Sequence, residues 1–241
     1  MKNKIFLPII FASIMFLSGC KECDDCPAPE TTISKTEWTL TYFEGSSGNY
    51  MYYAPPSFVS SGRIKMASNL FHQGYWFSKY DLPVPPEINL NLDTDTIKLT
   101  AYLRNVSGDG TANEIDLGMY WDVAGNKYSS ATWQKLGSGT TYCLLGVGSQ
   151  TMNNISEHLT DVSTYAEYSI VMVGNQITSY KNGTALKTLT YTGTTGYLKQ
   201  IDIGFRGYGE CDWIKLYKGS KLIMDEEFNT DGKSTATWTL P

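Results

Sequence analysis

The chain is poor in the side chains that most catalytic and metal-binding schemes need. Its 241 residues hold only two histidines, His72 and His158, and five cysteines. Neither histidine sits in a metal or triad pattern, no G-x-S-x-G elbow occurs, and no glycine-rich phosphate loop precedes a helical stretch. Charged residues make up 18% of the chain and the formal net charge is −5. No basic stripe interrupts that acidic balance, so a nucleic-acid role has no electrostatic support. Beyond residue 16 no apolar run is long enough to span a bilayer. Internal repeats and low-complexity tracts are also missing.

What is present begins at the amino terminus. Lys2 and Lys4 precede an apolar run over residues 5–16, which is short for a membrane span and suits the apolar core of a secretory signal. It ends in Leu17-Ser18-Gly19-Cys20. Small residues before a cysteine are what a lipoprotein signal peptidase requires, and this segment resembles the bacterial lipobox. The resemblance implies a signal peptide over residues 1–19, a lipid-bearing Cys20, and attachment to the membrane by lipid alone. Glu22, Asp24 and Asp25 follow closely, and this acidic cluster resembles the surface-export signal of some Gram-negative bacteria. The expected location is therefore the outer face of the outer membrane. Residues 20–34 (CKECDDCPAPETTIS) read as a polar tether, and residues 35–241 as one domain, within the ~200–250 residues usual for a β-sandwich.

Cys23 and Cys26 stand in the tether with CxxC spacing, but no second pair or nearby histidine completes a zinc set. Cys143 and Cys211 fall in expected strands. Two readings stay open for them, a disulfide in an oxidising compartment or two small buried thiols.

Past the tether, apolar residues recur at every second position between turn signals, the pattern of half-buried strands. Twelve strands are expected, over residues 37–43, 63–67, 87–92, 96–104, 114–121, 141–147, 168–173, 176–181, 185–191, 199–205, 211–217 and 221–228. Only residues 149–160 (SQTMNNISEHLT) suit a short helix. Asn182-Gly183 between two of these strands predicts a type I′ hairpin turn. The fold class is all-β, a two-sheet antiparallel sandwich with at most one short helix.

Ile115, Leu117, Met119 and Trp121 share one face of their strand, and Glu114, Asp116, Gly118 and Tyr120 the other. Upstream, Ile97, Leu99, Ala101 and Leu103 alternate with Lys98, Thr100, Tyr102 and Arg104. The glycine-bearing segment 105–112 between them predicts that the two strands pair as a hairpin. Lys98 and Arg104 would then meet Glu114 and Asp116 as cross-strand ion pairs on one polar sheet face.

Residues 168–216 resemble the second half of concanavalin A-like lectin/glucanase and laminin-G-like domains. The resemblance is carried by the GN-x-I turn, the Y-x-NG hairpin, the I-x-I-G strand and the closing D-W-I-K-L-Y strand. It implies a jelly roll whose concave face or rim loops bind carbohydrate. Laminarinase-like hydrolases of this superfamily carry E-x-D-x-E or E-x-D-x-x-E on one strand. Glu114-Ile115-Asp116 matches the opening, but the second glutamate is replaced by Gly118 and Met119. Retaining hydrolysis needs two carboxyl groups about 5–5.5 Å apart, and this strand lacks the second, so no catalytic residue is assigned. Jelly rolls of this kind often clip their terminal strands with calcium. Glu44 and Asp212 are the tentative ligands, and no other cofactor is expected.

Three segments are rich in aromatic rings that could stack on sugars: 50–53, 71–80 and 120–133. The expected ligand set is Tyr75, Trp76, Tyr102 and Tyr120 for stacking, with Arg104, Glu114 and Asp116 bonding hydroxyls. The favoured function is a non-catalytic, surface-anchored carbohydrate-binding or adhesion lipoprotein with a polysaccharide or glycan ligand. The alternatives are a divergent glycan-cleaving enzyme, with its missing acid on another strand, and a structural component that binds a protein partner in a surface complex.

Overall fold

The computed structural model describes residues 33–44, 64–65, 76–107, 112–121, 127–136, 141–155, 162–206, 208–229 and 236–241. Residues Ile33–Pro241 form one compact unit. The described residues contain fifteen strands and no helix. They are β1 (Thr39–Glu44), β2 (Ile64–Lys65), β3 (Trp76–Pro83), β4 (Ile97–Ser107), β5 (Ala112–Trp121), β6 (Lys127–Leu136), β7 (Thr141–Val147), β8 (Gln150–Ile155), β9 (Ala166–Val173), β10 (Gln176–Lys181), β11 (Thr184–Thr190), β12 (Leu198–Arg206), β13 (Tyr208–Lys218), β14 (Lys221–Glu226) and β15 (Thr237–Trp238).

They form two antiparallel sheets. The front sheet runs β1-β3-β12-β5-β6-β7-β8, and the back sheet runs β11-β10-β9-β4-β13-β14-β15 with β2 paired to β13. Alternation decides which side of each strand is buried. Ile115, Leu117, Met119 and Trp121 of β5 and Ile201, Ile203 and Phe205 of β12 point into the sandwich. Ile97, Leu99, Ala101 and Leu103 of β4 meet them from the back sheet, all fully buried. Each such aliphatic side chain contributes about 1.5–3 kcal/mol on burial. Contacts between the sheets are direct: the Trp133 ring on β6 meets Tyr168 on β9 edge-on at 5.0 Å. The β10–β11 turn has the expected chemistry, with Asn182 and Gly183 at φ of 48° and 75°, positive at both positions as a type I′ turn requires.

Several sequence expectations change: residues 87–92, expected as a strand, form a turn and an isolated bridge at Asn91. The hairpin of β4 with β5 does not form. β4 lies in the back sheet between β9 and β13, while β5 lies in the front sheet between β12 and β6. Asn105 of β4 ties the two sheets together, since its buried side-chain amide donates to the carbonyls of Glu114 (2.9 Å) and Arg206 (2.5 Å) on two front strands. Residues 150–155, expected within a helix, are instead edge strand β8, because pairing with β7 supplies backbone partners that override weak local helix preference. Of the two readings for the cysteines, the thiols prevail: Cys143 on β7 and Cys211 on β13 form no disulfide, are buried and lie in different sheets. No helix among the described residues is long and apolar enough to cross a membrane.

Candidate functional site: the outward face of the front sheet

β5 runs through the middle of the front sheet, and its polar positions face outward. Cross-strand register sets their neighbours. Glu114 stands between Arg206 of β12 and Gln134 of β6, Asp116 between Gly204 and Thr132, Gly118 between Asp202 and Ser130, and Tyr120 between Gln200 and Tyr128. β3 continues the rows, with Asp81 opposite Asp202 and Lys79 opposite Gly204. Residues directly opposite bring their Cβ atoms to about 5 Å, so these rows place several polar groups within reach of one sugar ring.

Asp116 is the best held of them. One carboxylate oxygen accepts from the Tyr128 hydroxyl at 2.9 Å and the other from Thr132 Oγ1 at 3.0 Å. Tyr128 reaches Asp116 only by leaning diagonally across Gly118. A Cβ at position 118 would fall within 2.6 Å of two Tyr128 ring carbons. A glycine inside a strand marks such a close approach, and here it makes room for the phenol. Asp202, fully buried, stands opposite that glycine and accepts from Gln200 Nε2 at 2.8 Å. The Tyr128 hydroxyl is pushed well above the ordinary tyrosine range, first by loss of water and then by the negative charges of Asp116 and Asp202. The phenol therefore remains a neutral donor.

The back face uses similar residues differently. Tyr102 on β4 stacks on Tyr165 (5.1 Å, 21°) and on Trp213 of β13 (5.9 Å, 14°). The Arg104 guanidinium covers Tyr165 at 4.6 Å, and the Lys215 ammonium lies 5.4 Å from the Trp213 ring centre. Arg104 gives two hydrogen bonds to one oxygen of buried Glu210 (2.9 and 2.7 Å), which also accepts from the Tyr165 hydroxyl at 3.0 Å. The faces of Tyr102 are occupied by other rings, so it is not placed to stack on a sugar.

The expected ligand set is thus divided. Glu114, Asp116 and Tyr120 share the front face, whereas Tyr102 and Arg104 belong to the back face. The expected ion pairs are replaced accordingly, Arg104 pairing with Glu210 at 2.7 Å and Lys98 with Glu167 at 3.3 Å. Trp76 opens β3 opposite Glu44. Tyr75, His72, His158 and Cys20 lie outside the described residues. The tentative calcium ligands are on different sheets, Glu44 at the end of β1 and Asp212 at a bulge in β13. Among the described residues no group of three or more His, Cys, Asp or Glu side chains is gathered as a metal set.

Thr132 and Asp202 join the site without having been singled out in the sequence. Asp202 sits between Ile201 and Ile203 in the I-D-I-G strand, so alternation alone could have turned it outward. Gly118 was the other available sign.

No protein-family model matches the chain, and no curated protein sequence matches it. Solved structures do share its fold. An alginate lyase from Pseudomonas aeruginosa is 12% identical at a TM-score of 0.51, covering 76% of this chain and 98% of that one. A structure from work on endo-acting O-glycanases that human gut microbiota express to initiate mucin breakdown is 13% identical at a TM-score of 0.53, covering 81% and 96%. The CBM2 module of an evolved Dit from Lactobacillus casei BL23 phage J-1 is 12% identical at a TM-score of 0.51, covering 86% and 97%. With its two antiparallel sheets, the chain has the concanavalin A-like jelly-roll fold.

Proposed function

We propose that this protein is a lipid-anchored glycan-binding protein of the bacterial surface whose ligand lies across the outward face of the front sheet. One observation carries the reading: Asp116 is fixed by Tyr128 and Thr132 at the centre of that face, with Glu114, Asp202 and Tyr120 in adjoining rows. A carboxylate oxygen is the acceptor that sugar hydroxyls need, and these two bonds fix where the Asp116 carboxylate stands. Tyr120 adds a half-buried ring beside it. Sharing a fold with an alginate lyase and with a structure from work on O-glycanases supports a glycan-related role.

Affinity electrophoresis of the full-length chain in detergent, through gels containing a panel of polysaccharides, tests this. Retardation by one polysaccharide, weakened at least tenfold by Asp116→Asn and by Tyr120→Ala, supports the front-face site. Retardation that these variants leave intact, but Tyr102→Ala removes, would move the site to the back sheet. An unretarded protein across the panel would overturn glycan binding and favour a protein partner. An EDTA arm tests calcium, which the retardation should then require. The anchor is tested by incorporation of labelled palmitate in cells, expected for the wild type and lost in Cys20→Ser.

A second reading, glycan cleavage, is favoured by Asp202. It stands on β12 opposite Gly118, one of the two positions where the laminarinase-like pattern has its last carboxylate. Release of reducing ends from a retained polysaccharide, abolished by Asp202→Asn, would replace binding with hydrolysis.

A further inference from the structure

We propose that Asn182, at the tip of the β10–β11 hairpin, is a site of spontaneous deamidation, and that its isoaspartyl product releases edge strand β11 from the back sheet. The inference goes beyond the glycan-binding reading and does not depend on it.

The sequence supplies the reacting pair. Asn182 is the one asparagine of the chain followed by glycine. Deamidation begins when the backbone nitrogen of the next residue attacks the asparagine side-chain carbonyl, and a side chain on that next residue obstructs the approach. Glycine has none. A Cβ at position 183 would meet no atom within 4 Å, so no neighbouring segment crowds the turn. Asn182 and Gly183 are both exposed, which admits the water that the second step consumes.

The fold supplies a further element. The Glu167 backbone N–H of β9 donates to Asn182 Oδ1 at 3.0 Å, and the Asn182 N–H donates to the Glu167 carbonyl at 2.8 Å. A donor on Oδ1 polarises the side-chain carbonyl and stabilises the negative charge that gathers on this oxygen as nitrogen adds. Asn105 gives the contrast. Its side chain is buried, its amide donates to two carbonyls, and Val106 follows it.

The chemistry balances with water alone. The Gly183 nitrogen bonds to Asn182 Cγ, the Cγ–Nδ2 bond breaks, and ammonia leaves with the proton that the Gly183 nitrogen gave up. One water then opens the succinimide ring. Opening at Cγ gives aspartate, and opening at the residue 182 main-chain carbonyl gives isoaspartate, whose backbone is one methylene longer. Aspartate before glycine suits a type I′ turn. The longer backbone does not fit the two-residue turn that sets Lys181 opposite Thr184, and a hairpin takes its register from its turn. β11 ends the back sheet with β10 as its neighbour, so loss of that register costs the strand its ladder.

The test ages the full-length protein in detergent at neutral pH, with peptide mass spectrometry and isoaspartyl methyl transfer as readouts. The mass gain of amide-to-acid conversion should appear at Asn182 at least tenfold faster than at Asn91, Asn105, Asn113 or Asn175. It should vanish in Asn182→Gln, whose longer side chain cannot close the same ring. Conversion at Asn182 no faster than at those four asparagines would overturn the site. Hydrogen exchange then follows residues 184–190. It should rise at least tenfold in the isoaspartyl fraction and stay at the wild-type level in Asn182→Asp. Unchanged protection in the isoaspartyl fraction would overturn the release of β11 while leaving the modification site in place.

Discussion

The two outward faces of this sandwich are built from the same kinds of residue and reach opposite results. On the back face, Tyr102, Tyr165 and Trp213 stack on one another, Arg104 and Lys215 cover the ends of the stack, and Glu210 secures Arg104. Nearly every group there is satisfied by a neighbour in its own sheet. On the front face Asp116 is fixed by the hydroxyls of Tyr128 and Thr132, and Asp202 stands across from a glycine. Polar and aromatic content therefore does not mark a site. What distinguishes the two faces is what their polar groups meet: stacked rings and cations on the back, hydroxyls and a glycine on the front.

The comparison can be broken most severely at Arg104. Arg104→Ala leaves the Glu210 carboxylate, 7% exposed, with the Tyr165 hydroxyl but without its cation. Stranding a buried charge costs about 3–5 kcal/mol. The partial exposure of Arg104 and the surviving phenol bond place this case near the lower end, about 3 kcal/mol. It should appear as a lower urea midpoint at unchanged slope, with glycan retention intact.

Gly118→Ala breaks the front face instead. The new methyl group collides with the Tyr128 ring and drives it from Asp116. Overpacking of this kind costs about 1–3 kcal/mol, and glycan retention should fall together with stability.

Alkaline pH probes both sheets through buried acids, Tyr128 on the front face and Cys211 on the core side of the back sheet. Tyr128 is held well above 10.0, first by desolvation and then by Asp116 and Asp202, and Cys211 well above 9.0, first by desolvation and then by Asp212 and Glu226. For such groups the unfolded chain loses its proton first. Their contribution is therefore complete below about pH 9 and is lost as pH rises through the folded values. Urea midpoints should be level from pH 7 to 9 and fall above it. Tyr128→Phe and Cys211→Ala should each blunt the fall.

The smallest effect belongs to Lys98→Ala. Lys98 and Glu167 are 38% and 37% exposed and 3.3 Å apart, and an exposed pair contributes about 0.2–1 kcal/mol. A loss above 2 kcal/mol would show that the back face depends on more than its ring stack and Glu210.

Alternation in the sequence reveals much of this, because it depends only on neighbouring residues. It separates Ile115, Leu117, Met119 and Trp121 from Glu114, Asp116, Gly118 and Tyr120, and Asn182-Gly183 identifies its turn. It cannot say which sheet a strand joins. β4 and β5 are consecutive and both alternate, yet the pairing that places them apart involves β13 and β12, about a hundred residues later. That is why Tyr102 and Arg104 read as neighbours of Glu114 and Asp116. Asp202 was hidden for the same reason, since its relation to Gly118 exists only through pairing.

The placement of β12 and β13 has a kinetic consequence. β12 fills the gap between β3 and β5 in one sheet, and β13 the gap between β4 and β14 in the other. A chain growing from its amino terminus therefore has β3 separated from β5 in the front sheet until residue 206 is available, and β4 without its second neighbour in the back sheet until residue 218. Such long-range pairing slows folding, and nascent segments expose unpaired strand edges until it is complete. Removing β12 and β13 would therefore split the front sheet in two and cut β14 and β15 off from the back sheet, rather than merely trim an edge.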